Sequence, residues 1–372
     1  MNNAFQYAHA SNENIDTLLD TITAQLHAPF TQSLGIIYIT DNLHDQLDLI
    51  LNHIQDHTGI PHWSGTVGMG IIGGDTEYYD EPAIAILLCD ISTDEFTMLP
   101  TSVNTPESDI LQLKSLQNIK TSPSGLLHAD PQNPDIQILL KQLYKHSPNS
   151  RFIGGLSSSR GTLPQICDTL TSGGISGVVF SDNITITTNL SQGCTPIGPA
   201  HDITRFERNL VISLDNNPAL QVLKNDIGEV LARDLKRAAG YIFTGIPTKS
   251  NHADDYMIRN LIGTDESNDI FAIGDFVQAG QQLMFCRRDG NTAQKDMIRM
   301  LETTKQKLKT APRGGIYISC LGRGRYQFGD NSEEAKMIKS VLGEFPLIGF
   351  YANGEIFNSN LYSFTGVLML FE

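Results

Sequence analysis

The sequence has no apolar run that approaches the length needed to span a bilayer. Its start, Met1-Asn2-Asn3, lacks a basic patch followed by an apolar core, so no secretory leader is expected and the chain is expected in the cytoplasm. Positive charge is scarce. There are 26 Lys and Arg against 41 Asp and Glu, a net charge of -15. Nonspecific nucleic-acid binding and docking on anionic membranes both need a basic face, so neither is expected. Cysteine is sparse and unpatterned: Cys89, Cys167, Cys194, Cys286 and Cys320 include no C-x-x-C, which argues against a disulfide framework and a zinc site. His44, His53, His57 and His62 cluster early, but no H-E-x-x-H or comparable spacing occurs. No metal or other cofactor is expected. The phosphate-binding pattern G-x-x-x-x-G-K-[ST] is also missing.

What is present is a soluble α/β composition. The 372 residues are 40% hydrophobic, enough for two domains with real cores. The stretch from Arg313 to Gly354 gives the clearest local pattern. Gly314 to Cys320 is a short apolar, β-branched run, which suits a buried strand. Leu321-Gly322-Arg323-Gly324-Arg325 follows as a glycine-flanked loop, where the backbone can approach a ligand closely. Asn331, with Glu333 and Glu334 in the first turn and Ala335, Met337, Ile338, Val341 and Leu342 behind, predicts a capped helix with one buried face. Pro346 to Glu355 predicts a second strand and a glycine turn.

The same grammar occurs earlier. Gly35-Ile36-Ile37-Tyr38-Ile39 resembles Gly315-Ile316-Tyr317-Ile318, and Leu43, Leu47, Ile50, Leu51 and Ile54 make a helical stripe. Gly65 and Gly70 match the five-residue spacing of Gly349 and Gly354. A third copy of the ending stands at Gly154-Gly155-Leu156-Ser157-Ser158-Ser159-Arg160-Gly161. Internal duplication is therefore expected, with 35–70 and 315–354 as related strand-helix-strand units. The expected fold is α/β, with two domains of mixed β-sheet flanked by helices. The boundary is placed near 212–216, giving domains 1–212 and 213–372.

Elsewhere, Ile15, Leu18, Leu19, Ile22 and Leu26 predict a first helix capped by Ser11 or Asn12. Gly73-Gly74-Asp75-Thr76-Glu77 reads as a hairpin turn. Five prolines between Pro100 and Pro134 predict a long connection. Ile136, Leu139, Leu140 and Leu143 predict a helix feeding a strand at Phe152-Ile153, and Ala219 to Lys236 predicts another helix.

Five motifs, in order, resemble a known family. Ser191-Gln192-Gly193-Cys194-x-Pro196-Ile197-Gly198-Pro199 is similar to the close of the FIST N domain. Arg259 to Gly263, the Gly280 strand leading to Arg287-Arg288-Asp289, Cys320-x-Gly322-Arg323-Gly324 and Gly349-x-x-x-x-Gly354-Glu355-Ile356 resemble the FIST C domain. The resemblance covers roughly 33–372. It implies a sensory module that binds a small ligand, such as an amino acid, in signalling proteins. Kinase, receiver, transmembrane and F-box segments are not visible. Met69-Gly70-Ile71 stands where the pattern has Gly-Glu-Ile, which leaves Glu355 as the carboxylate of the pair and makes the first unit structural.

The candidate ligand-binding residues are Cys320, Arg323, Arg325, Asn353 and Glu355, with Gln192 and Arg160 approaching from the N-terminal domain. Arginines on a glycine loop suit an anionic group, bound bidentately, or they pair with acidic neighbours. Glu355 suits a ligand cation or forms an internal salt bridge with Arg323. Cys320 is either a thiol activated by the arginines or a core thiol. The expected function is a small-ligand sensor without catalytic residues, its partners a small polar ligand and a signalling protein. Two alternatives are a thiol-dependent transferase or hydrolase using Cys320, and a scaffold or adaptor.

Overall fold

Strands Leu34–Thr40 and Gly314–Cys320 are buried at every position, which is what a sheet covered on both faces requires. Each continues into an amphipathic helix, Leu47–Thr58 or Glu333–Leu342. Each helix returns the chain to a parallel strand, His62–Gly68 or Leu347–Ala352. The computed structural model describes residues 5–102, 123–147, 149–233, 235, 240–248 and 256–372.

A third unit has the same plan: strand Ser124–Ala129, helix Ile136–His146 and parallel strand Arg151–Leu156. The sequence revealed its helix, its second strand and its ending, but not its first strand. Its first strand lies in the proline-dense stretch read as a connection, yet Pro123 and Pro131 flank that strand rather than interrupt it. The rest of that expected connection, 103–122, lies outside the described residues. The first helix, Ile15–Gln25, is capped by Asn14, whose side chain accepts from the Thr17 amide, and not by Ser11 or Asn12. Gly70–Gly73 and Thr76–Tyr79 form the hairpin expected around Gly73–Glu77.

The three units build three six-stranded mixed sheets by one rule. A later strand packs antiparallel beside the unit's first strand: Ala83–Cys89, Ile175–Phe180 or Thr365–Phe371. A hairpin donated by another unit packs antiparallel beside its second strand. The hairpin after His62–Gly68 joins the sheet of Leu347–Ala352. The hairpin after Leu347–Ala352 joins the sheet of Arg151–Leu156. The hairpin after Arg151–Leu156 joins the sheet of His62–Gly68. The donation closes after three steps.

Register makes the equivalence residue by residue. Gly65 lies opposite Ile37 and Ile166, Gly154 opposite Leu127 and Ile356, and Gly349 opposite Tyr317 and Ile72. At all three glycines a Cβ would overlap the carbonyl oxygen of the neighbouring strand. The glycine is thus a close-approach position, and no larger residue fits it. One position before each isoleucine stand Gln165, Glu355 and Ile71, the equivalents of one another.

The inner faces of the three sheets share one core, with Ile36, Tyr38, Leu126, Ile153, Val178, Ile318, Phe350 and Met369 among its members. The outer faces carry the helices in three separate clusters. His128 is fully buried in the shared core, bonded to the Tyr38 hydroxyl at 3.1 Å, and burial holds its pKa down near about 3.

By contacts in space the chain forms two compact units. One comprises 1–191, 297–361 and 365–372 and contains the three repeats. The other comprises 192–296 and 362–364. In the second, strands from Cys194–Pro196 to Gln282–Arg288 pair antiparallel around helix Ala219–Ala232. Its core includes Val211, Leu220, Phe271 and Phe285. A partition by sequence order, such as 1–212 and 213–372, is a different division from this spatial one. Among the described residues no helix is long and apolar enough to cross a membrane.

Candidate functional site

Parallel strands of one sheet end on one side, so the loops after them gather there. In the sheet built on Gly314–Cys320, the loop after Cys320 carries Arg323, and the turn after Leu347–Ala352 carries Asn353 and Glu355.

Arg323 is not a loop side chain in solvent. It is fully buried, and its guanidinium lies 2.7 Å from Glu334, the second residue of helix Glu333–Leu342. Its Nε donates to Glu334 Oε1 at 2.8 Å and its Nη2 to Ser191 Oγ at 2.9 Å, while Phe328 stacks 5.1 Å away. Glu334 also accepts from the hydroxyls of Tyr317 and Ser319 and from the amide of Gly324. Burial alone would lower the arginine's pKa, but the Glu334 carboxylate, Tyr317 and Glu355 hold it well above its ordinary value. The pair is saturated with hydrogen bonds, which is the condition under which burying two charges is tolerated.

Glu355 therefore has no ion pair with Arg323. It is fully buried, and its Oε2 accepts from the Thr365 amide at 3.0 Å and from Thr365 Oγ1 at 2.8 Å. Oε1 meets no nitrogen or oxygen donor among the described residues. Burial pushes its pKa up to about 8; Thr365, the Arg323 charge and the Cys320 thiol pull in the other direction without overcoming it. That direction favours the neutral carboxylic acid, the form that can donate a hydrogen bond. Cys320, 9% exposed, ends the adjoining strand. The structure thus brings Cys320, Arg323 and Glu355 together, with Thr365 as an unforeseen fourth member.

At the equivalent place in the hairpin given by the third unit, Gln165 donates to the Gly174 carbonyl at 3.0 Å and accepts from Ser176 Oγ. In the first, Ile71 is apolar. Of the three equivalents, only Glu355 offers a carboxyl group.

Arg325 and Arg160 form a second cluster. Both bind the Asp80 carboxylate, Arg160 at 3.0 Å through Nη1 and Arg325 through Nη2. Arg160 also forks onto Asp41 through Nε at 2.9 Å and Nη2 at 2.7 Å. Arg325 lies over the rings of Tyr79 and Tyr326. Burial acts to raise the Asp41 pKa, but the hydrogen bonds and charge of Arg160 together outweigh it and hold the carboxyl below its ordinary value. The hydrogen bond from Arg325 does the same for Asp80. Asn353 is exposed, and its backbone amide donates to the Leu156 carbonyl. Gln192 belongs to the second unit, where its amide nitrogen donates to the Tyr256 carbonyl at 3.0 Å.

Sequence reasoning placed Glu334 at a helix start but did not pair it with Arg323. The available signal was two acids in a first turn that follows an arginine loop. Asp80, Asp41 and Thr365 gave no signal, because each meets its partner only through the exchange between units or the return of a distant strand. Among the described residues no group of three or more histidine, cysteine, aspartate or glutamate side chains could hold a metal ion.

Residues 33–217 match the FIST N domain and residues 219–358 the FIST C domain. An uncharacterised protein of Mycobacterium tuberculosis strain H37Rv is 28% identical over 354 residues, covering 92% of this chain and 91% of that protein. An uncharacterised protein of Mycobacterium bovis is 30% identical over 353 residues, covering 91% of this chain and 89% of that protein.

Proposed function

The chain belongs to the family built from FIST N and FIST C domains, and from that premise we propose that it senses a small polar ligand at the strand ends around Glu355. FIST domains are sensory domains of signal-transduction proteins, sensory rather than catalytic. The observation that carries the proposal is the Oε1 atom of Glu355, fully buried with no nitrogen or oxygen donor among the described residues. A buried polar atom left open is costly, and a ligand or an ordered water is what satisfies it. Protonated, Glu355 would donate to an acceptor such as a carboxylate or carbonyl of the ligand. Cys320 lies beside it. Arg160 and Arg325, tied to Asp80, supply positive charge that an anionic group would compete for. An amino acid or a similar small metabolite in the cytoplasm fits these groups, and a signalling protein would read the bound state. Asn353 remains a candidate for the same ligand, and Arg323 would act through Cys320 and Glu355.

The test is a thermal-shift screen of amino acids and small carboxylates against the intact protein and Glu355→Ala. A ligand should raise the Tm of the parent, and the variant should lose about tenfold in affinity or more, the effect of one charge-assisted hydrogen bond. Equal responses of parent and variant would remove Glu355 from the site, and a panel without any response would remove the proposal.

A further inference from the structure

A cavity of about 610 Å³ opens where strands Leu34–Thr40 and Leu347–Ala352 begin, the end opposite Glu355. That volume falls in the range of small-molecule sites, which span about 300–1,000 Å³. Tyr7, Phe345, Asp90 and Glu344 are among the residues that line it, and among the described residues no lysine or arginine does. One wall is a strap from His27 to Gln32. Gln6 fastens the strap by accepting from the His27 amide at 2.7 Å and donating to the His27 carbonyl at 2.9 Å. The cavity is therefore preformed.

A second, smaller cavity of about 100 Å³ shares Tyr7, Glu344 and Phe345 and adds Asp75 and Lys339. Charge across the two is unbalanced. Lys339 is divided between Asp75 at 2.9 Å and Glu344 at 2.8 Å. Arg313 stands 3.9 Å from the Asp90 carboxylate, spends its hydrogen bond on the Asp90 carbonyl, and lies over the Phe5 ring. Among the residues lining the two cavities, the carboxylates of Asp75, Asp90 and Glu344 stand with Lys339 and His27, and Arg313 meets Asp90 from outside the lining, in a protein of net charge -15. A ligand bearing positive charge completes that balance, and aromatic faces favour such a charge.

We propose that these adjoining cavities form a second binding site, for an elongated organic cation of the polyamine class. One ammonium group lies between Asp90 and the Tyr7 and Phe345 rings, and the next reaches toward Glu344 and Asp75. The proposal does not depend on the site at Glu355, since it uses other residues at the other strand ends.

Titration calorimetry of the intact protein with spermidine, at physiological salt, tests it. Saturable binding should appear and should weaken about tenfold or more in the double variant Asp90→Asn/Glu344→Gln, the scale of one lost cation contact. Tyr7→Ala should weaken it as well. The double variant Glu13→Gln/Asp16→Asn, with two acidic residues of the first helix region altered, should bind like the parent. Glu344 is 81% exposed, so its replacement leaves the fold intact, which a thermal scan of each variant verifies. No saturable heat, or equal loss in both double variants, would reduce the effect to general counterion attraction and overturn the proposal. Magnesium at matched ionic strength should fail to compete, and competition by it would overturn the organic-cation assignment.

Discussion

Arg323 and Glu355 stand near each other with opposite fates. Each guanidinium nitrogen of the arginine has a partner, and the glutamate keeps an oxygen that meets no nitrogen or oxygen donor among the described residues. Their roles under substitution differ accordingly. Arg323→Ala should destabilise the protein by about 3–5 kcal/mol, the cost of leaving a buried partner charge alone. Chemical denaturation would read this as a lowered midpoint. The double variant Arg323→Met/Glu334→Leu should recover a large part of the loss, because an apolar pair of similar volume removes both charges. If the single variant is as stable as the parent, the guanidinium is not holding the loop. The Arg323-Gly324 motif was plain in the sequence, but its partner was not, since a carboxylate eleven residues away in a helix gives no periodic signal. What the sequence could supply was the residue type and the glycine that lets Gly324 adopt φ 51°.

At the level of elements, hydrophobic runs and glycine spacing carried most of the fold. Seven-residue apolar strands such as Gly314–Cys320 announce themselves, and so does the stripe of helix Leu47–Thr58. Strand Ser124–Ala129 was hidden because proline density outweighed its short apolar core. The pairing of hairpins with distant strands left no local trace at all. One element offers a pH test. His201, at the start of strand His201–Glu207, is 8% exposed and lies between Asp215 at 2.6 Å and Asp226 at 2.9 Å. It ties that strand to the turn at Asp215 and to helix Ala219–Ala232. Burial acts to lower its pKa, but the two carboxylates prevail and raise it. The sign follows from linkage. The folded state holds the proton more tightly, so the stabilisation is complete below the ordinary histidine value of about 6.5 and is lost as pH rises through the elevated one. Stability measured across pH 6 to 9 should fall in the parent and show a flatter slope in His201→Gln. Parallel slopes would place the titrating group elsewhere.

At the scale of the molecule, no repeat owns a complete sheet. Each second strand is covered by a hairpin that belongs to another unit, so the exposed edge of one repeat is closed only when all three are present. A fragment of residues 33–90 should therefore show no cooperative thermal transition, whereas the intact chain should unfold its three repeats in one step. A fragment with its own sharp transition would mean that the exchanged hairpins are dispensable. The closure after three donations has a further consequence. Three separate copies of one such unit, each passing its hairpin to the next, would close a ring with threefold rotational symmetry. In such a ring every subunit carries the same amino acid at the corresponding place, so all three positions must be acidic or none. Joining the copies in a single polypeptide lifts that constraint, and this chain has used the freedom: Glu355, Gln165 and Ile71 are three different answers to one position, and two of them no longer need to serve whatever the third does.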